Sequence, residues 1–187
     1  MTRIEKRFVN DIGHSRRVAR EAVRRLRGVP IDRSWSYLDV GCGNGAAALL
    51  VAETFGVRVI GVDVDAQQIA LARTAAGDRA DALFITADAT CLPFEDERFD
   101  IVATNKTTHH VPQWSSALAE MRRVLKPHGY FVYADLKAPT WLAWALTPFA
   151  GHTSVFTGVD LDRCFSSLQP IHRRTGWLYY EAIFQKP

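Results

Sequence analysis

From residue 38 onward the chain alternates short apolar runs with longer stretches whose apolar side chains recur every three or four positions. Residues 38–40 close a buried strand, and Ala46 to Phe55 (AAALLVAETF) predicts the helix that follows. Val57 to Val62 (VRVIGV) predicts a second strand, then a helix over Ala66 to Ala75 with Ile69, Leu71 and Ala72 facing inward. Ala82 to Thr86 and Ile101 to Thr104 are further strands. A helix from about Ser115 to Leu125 stops before Pro127-His128-Gly129, and Tyr130 to Ala134 is a fifth strand. A helix around Asp160 to Leu168 leads into Ile171 to Arg174 and Leu178 to Phe184, which flank Thr175-Gly176-Trp177 as a hairpin. Nearly continuous apolar strands joined by helices imply a parallel sheet with helices on both faces. The fold class is α/β, doubly wound, with an antiparallel strand at one edge. Ligands of such sheets bind beyond the carboxyl ends of the strands, where the strand order reverses.

Composition narrows this to one globular domain over residues 1–187, with a basic helix or cap over 1–33, a core over 37–135, and a lid segment and hairpin over 136–187. The net charge of +3 is uneven: residues 1–33 carry ten Lys/Arg against four Asp/Glu, and the remainder carries thirteen against sixteen. In SRRVAREAVRRLR, Val18, Ala22, Val23 and Leu26 share a stripe, with Arg16, Arg17, Arg20, Arg24 and Arg27 largely off it. Such a helix either docks by its stripe or offers a patch to nucleic acid, anionic lipid or an acidic substrate. No aromatic interleaving or nucleic-acid motif accompanies it. Cys42, Cys91 and Cys164 are scattered, with no metal-site spacing, so no metal is expected and a reducing, cytoplasmic setting is. The longest apolar run, around Trp141 to Ala150, contains Pro148 and is too short for a membrane span, so a soluble protein is expected.

The chemistry gathers just past the strands. Asp39 precedes Gly41, Gly43 and Gly45 in a strand-to-helix turn, where glycine permits positive φ and lets a ligand approach the backbone. The spacing of Gly41, Gly43 and Ala46, with Asp63 further on, also satisfies the dinucleotide pattern. Asp39 separates the two cases: a buried carboxylate repels a pyrophosphate and attracts an ammonium, unless it is simply tied into turn amides. Asp63 can accept from two vicinal hydroxyls, while Asp65 is the better cap for the next helix. Asp88 can accept from the exocyclic amine of a base or serve as a turn residue.

These segments, LDVGCGNG, VIGVDVD, ADATCLPFEDERFDIV, HHVPQW and ALAEMRRVLKPHGYFVYADL, occur in the order found in the class I S-adenosylmethionine-dependent methyltransferases. From about Tyr37 to Asp135 the chain resembles that family, most closely its small ubiquinone/menaquinone-biosynthesis-like (methyltransferase type 11) branch. The resemblance implies S-adenosylmethionine as cofactor and S-adenosylhomocysteine as product. It puts Gly41, Cys42 and Gly43 against the methionine portion with Asp39 near its amino group, Asp63 on the ribose, Val64 on the adenine face, and Asp88 with Ala89 at the adenine edge. It also implies a seven-stranded, mostly parallel, Rossmann-like sheet in the order 3-2-1-4-5-7-6 with strand seven antiparallel.

Asn105-Lys106-Thr107-Thr108-His109-His110-Val111-Pro112 belongs beside the transferring methyl, with Asn105 on the cofactor side. His109 or His110 is the candidate base, or a structural histidine; Lys106 is a candidate for an anionic acceptor group, or a solvated lysine. Relatives have apolar residues where this chain has Lys106, Thr107 and Thr108, which points to a polar acceptor. Cys42 reads as packing rather than a nucleophile. Residues 8–14 and the arginine-rich helix are expected over the cofactor, and the aromatic segment over 139–159 is a candidate lid, homodimer surface or membrane-touching helix. The expected activity is methyl transfer to a small-molecule acceptor. The competing readings are a cofactor-binding nonenzymatic partner subunit and an NAD-dependent oxidoreductase.

Overall fold

The computed structural model describes residues 12–139 and 156–187. The expectations for residues 8–11, and for most of the lid or dimer segment over 139–159, lie outside the described residues. Seven strands form one sheet in the order β3-β2-β1-β4-β5-β7-β6, as the resemblance implies. The chain divides into two compact units, residues 1–88 and 89–187. Among the described residues no helix is long and apolar enough to cross a membrane.

The first unit begins with α1 (Ile12–Leu26), followed by β1 (Ser36–Val40), α2 (Ala46–Phe55), β2 (Arg58–Asp63), α3 (Ala66–Ala76) and β3 (Ala82–Thr86). β1 pairs in parallel with β2, and β2 with β3. Buried Ala19, Ala22, Val23 and Leu26 form the inner stripe of α1, and Arg16, Arg17, Arg20, Arg24 and Arg27 stay exposed. Arg25 is the exception: its guanidinium is buried and paired with Glu21. The sequence places Leu71 inward, but it is exposed, and α3 buries Gln68, Ile69, Ala72 and Ala76 instead. Residues 68, 69, 72 and 76 lie along one helical stripe, which Leu71 misses.

The second unit holds β4 (Phe99–Asn105), a 3₁₀ turn (Thr108–His110), α4 (Trp114–Arg123), β5 (Leu125–Leu136), α5 (Gly158–Cys164), β6 (Gln169–Thr175) and β7 (Tyr179–Gln185). β4 and β5 are parallel, whereas β7 is antiparallel to both β5 and β6. The Pro-His-Gly segment lies inside the long β5 rather than before it, and the β4–β5 register shifts between Phe99 and Ile101 to accommodate the irregularity. A reciprocal capping box between Thr157 and Asp160 starts α5 earlier than the apolar pattern suggests. The core is aromatic: Phe165 packs 5.1 Å from Tyr133, 5.5 Å from Phe131 and 4.7 Å from Phe184, ring centre to ring centre. These contacts make β5 and β7 a rigid platform for the residues at their ends.

Candidate active site

In the first unit, the end of β1 turns sharply into α2. Gly41, Gly43 and Gly45 all adopt positive φ, at 76°, 53° and 78°. At Gly45 a Cβ would stand 2.8 Å from the Phe84 ring, and at Gly61 of β2 it would stand 2.5 Å from the same ring. Phe84 thus fills the space that these two glycines leave, and it presses the turn against the sheet. Over Gly43 the space is open, with the Gln68 Oε1 3.8 Å from the Cβ position.

Asp63 ties this turn together. One carboxylate oxygen accepts from the Gly43 amide at 2.9 Å and the other from the Asp65 amide at 2.9 Å. Asp65 caps α3 by accepting from Gln67, as expected. Burial raises the Asp63 carboxyl, and the amides of Asp65 and Gly43 pull it part of the way back. The turn-amide role considered for Asp39 therefore belongs to Asp63, whose carboxylate retains lone pairs for ligand hydroxyls.

Asp39 is 5% exposed, and burial followed by repulsion from Asp63 pushes its carboxyl up to about 7. A buried and a half-buried carboxyl in mutual repulsion form a surface that a cation relieves and an anion aggravates. The Gln68 Oε1 is buried with no hydrogen-bond partner among the described residues, an acceptor suited to a donor on a ligand. Cys42 is buried, and its thiol is pushed up by burial, then by Asp39 and Asp63, which disfavours a nucleophilic thiolate. Val64 is 73% exposed just past β2, an apolar surface able to receive a flat ring, and Asp88 is exposed past β3. These residues fit a ligand with a cationic end, hydroxyls and a planar base.

In the second unit the chain leaves β4 through Asn105 and Lys106. Both amide atoms of the half-buried Asn105 are buried and lack partners among the described residues. Lys106 adopts φ 55° while its amide donates to the Ala134 carbonyl at 2.8 Å. A left-handed backbone at a non-glycine residue is the kind of strain that collects at functional sites.

Asp135 then organises the 3₁₀ turn. It is fully buried near the end of β5, and one oxygen accepts from the Thr108 amide at 2.8 Å and the Thr108 hydroxyl at 2.6 Å. Its other oxygen contacts His109 Nδ1 at 2.5 Å and accepts from the Leu136 amide at 2.7 Å. The buried Thr108 hydroxyl also meets the Tyr133 hydroxyl at 2.8 Å. A carboxylate oxygen accepting at Nδ1 favours the tautomer of His109 whose proton sits on Nδ1. His110 is exposed, and its ring centre is 3.9 Å from that of His109. The arrangement distinguishes the two histidines: His109 is held by Asp135, whereas His110 is exposed.

Sequence reasoning missed Asp135 and Tyr133 as parts of this site, and it named Thr108 without its bond to Asp135. The signal was present: Asp135 is an acid within the apolar run FVYADL, and the burial argument applied to Asp39 applies equally to it. Lys137, next along the rim, is half-buried.

A family described as a methyltransferase domain matches residues 38–133, just over half of the chain. A fatty-acid O-methyltransferase of Mycolicibacterium smegmatis is 37% identical over 109 residues, covering 56% of this chain and 39% of the relative. A 2-methyl-6-phytyl-1,4-hydroquinone methyltransferase of Synechocystis is 36% identical over 100 residues, covering 54% of this chain and 31% of the relative. The match thus spans less than half the length of these curated relatives. Among solved structures, a methyltransferase in complex with the Haloferax volcanii Trm112 activator has a TM-score of 0.78 at 19% identity, covering 99% of this chain and 95% of that one. A geranyl diphosphate methyltransferase solved in complex with SAM has a TM-score of 0.77 at 17% identity, covering 95% and 92%. Both structures share the fold. With a match that runs from the strand carrying Asp39 to the strand carrying Tyr133, this chain belongs to the methyltransferase-domain family.

Proposed function

We propose that the chain transfers a methyl group from S-adenosylmethionine to a hydroxyl-bearing small molecule. The observation that carries this reading is Asp39, a buried carboxyl held near 7 beside Asp63, which calls for a cationic ligand where a dinucleotide would bring a pyrophosphate. Gly41 and Gly43 leave backbone open to the methionine portion, Asp63 accepts from the ribose hydroxyls, Val64 covers one face of the adenine, and Asp88 with Ala89 meets its edge. In the first unit Gln68 has a buried polar atom without a partner among the described residues, and in the second so does Asn105.

S-adenosylmethionine supplies a methyl group already activated on a sulfonium, so the protein's work is alignment and proton removal. His109, with Nδ1 held by Asp135, would take the acceptor's hydroxyl proton at Nε2, while the methyl would pass to that oxygen and S-adenosylhomocysteine would leave. Asp135 stabilises the imidazolium that results. Lys106 faces a polar or anionic group of the acceptor. A role limited to cofactor binding has no use for a buried carboxylate that orients a histidine, and the Asp135–His109 pair favours the enzyme.

The relatives are named for methylating a fatty acid and a phytyl hydroquinone, which supports an acceptor with an apolar body; the hydroxyl of a hydroquinone is the kind of group a base would serve. The test is transfer of a labelled methyl from S-adenosylmethionine to a metabolite and lipid extract, with His109→Ala in parallel. Label in an organic-soluble product with the wild type, reduced about 10²- to 10⁴-fold in His109→Ala, is the expected result. Absence of label across polar and apolar fractions contradicts it.

A further inference from the structure

The hairpin that ends the second unit exposes apolar side chains where a water-facing turn would ordinarily be polar. Trp177 is 78% exposed and Leu178 55%, at the tip joining β6 to β7. The Gly176 amide donates to the Tyr179 carbonyl at 2.8 Å, so the tip is a closed turn that holds Trp177 and Leu178 outward. The Lys137 amide donates to the Leu178 carbonyl at 3.1 Å, which sets Leu178 against the end of β5, and Leu136 there is 46% exposed. Lys137 runs alongside Gly158, and the adjacent Val159 is 59% exposed.

The register locates this tip. Asp135 pairs with Tyr180 and Leu136 with Tyr179, so Trp177 and Leu178 project from the same end of the β5–β7 pair as the carboxylate that holds His109. Two cations lie near it, Arg174 and Lys137. Arg174 is exposed on β6, opposite the buried Glu181, and His172 is exposed on the same strand. Arg173 is held over the Tyr180 ring and paired with Asp162 at 2.8 Å, which fixes the strand's orientation.

An exposed Trp-Leu pair on a closed turn, with Arg174 just before it and Lys137 bonded to it through the backbone, matches the border between acyl chains and anionic headgroups: the indole prefers that interface, and cations lower their energy near its negative surface. The β6 edge is a poor match for another strand, since it carries Pro170, a register shift and exposed arginines. We propose that the Trp177–Leu178 tip docks the protein on an anionic lipid surface, bringing the His109 end of the second unit to an acceptor that resides in the bilayer. The link to the acceptor rests on the methyltransferase reading above; the docking itself does not.

The test is sedimentation of the full chain with vesicles of phosphatidylcholine alone and of phosphatidylcholine with phosphatidylglycerol, for the wild type and the double variant Trp177→Ser/Leu178→Ser. The expected result is binding to the anionic vesicles that weakens with salt and falls at least tenfold in the variant, with circular dichroism and S-adenosylhomocysteine affinity unchanged. Equal sedimentation of variant and wild type, or no sedimentation of the wild type with anionic vesicles, overturns the proposal. So does a wild-type dimer in light scattering that the variant dissociates, which would make the tip a contact between copies of the chain. Vesicle binding without methyl transfer to any extract would leave the docking standing and sink the methyltransferase reading; transfer without vesicle binding would do the reverse.

Discussion

At the scale of single residues, Asp39 and Asp135 have surroundings that give them opposite tasks. Asp39 has an ordinary value of 3.8, and the folded, ligand-free protein holds it at about 7. The unfolded chain therefore releases this proton first as pH rises. Stability from Asp39 is intact below 3.8, declines as pH climbs toward about 7, and stays at the lower level above that. Asp39→Asn should flatten that decline and stabilise the ligand-free protein by roughly 1 to 3 kcal/mol at pH 8, measured by urea unfolding at pH 5 and pH 8. A variant no more stable than the wild type at pH 8 would mean that Asp39 is not repelled in the folded state. Asp135 has the contrasting task, because it is supplied with donors and spends its second oxygen on His109. Asp135→Asn should lower kcat by about 10²-fold or more while leaving S-adenosylmethionine affinity within a factor of a few, since only the orientation of the base is lost. Equal losses in affinity and turnover would show instead a general collapse of the turn.

At the scale of elements, the glycine turn and β2 act as one unit through Phe84 and Asp63. Gly61→Ala places a methyl 2.5 Å from the Phe84 ring, and the strand cannot retreat from its parallel neighbours. A loss of about 1 to 3 kcal/mol is expected in chemical denaturation, largely recovered when Phe84→Leu is added. A tolerated Gly61→Ala would show that the ring moves freely. Asp63→Ala strips the Gly43 and Asp65 amides of their acceptor and should cost a similar amount even without ligand. Much of this architecture was legible in the sequence, because apolar runs of five or six residues ending at an acid or glycine have few other readings. The helix over Ala46–Phe55 and the strand over Ala82–Thr86 appear with the expected bounds. What escaped was non-local. The Asp135–His109 contact joins residues 26 apart, and no local pattern announces it. Leu71 failed for a different reason: its apolarity was read as burial, although a helix over a sheet buries only one stripe.

At the scale of the whole molecule, the two units divide the chemistry: the first carries the acidic glycine turn and the second the oriented histidine. A ligand held by the first unit should raise the melting temperature, by roughly 5 to 10 °C at a concentration a hundredfold above Kd, and His109→Ala should show the same shift. Loss of the shift in His109→Ala would move that residue to the donor side. The lid expected over 139–159 falls mostly outside the described residues, so acceptor identity was no more legible from the fold than from the sequence. The chain's claim to be a methyltransferase thus turns on whether its acidic turn holds a cationic methyl donor. Calorimetric titration with S-adenosylmethionine, S-adenosylhomocysteine and NAD at pH 6 and pH 8 asks this directly. The account predicts one-to-one binding of both sulfur ligands, tighter at pH 8, with proton release near pH 6 that disappears in Asp39→Asn. Binding of NAD with no heat from either sulfur ligand would contradict it.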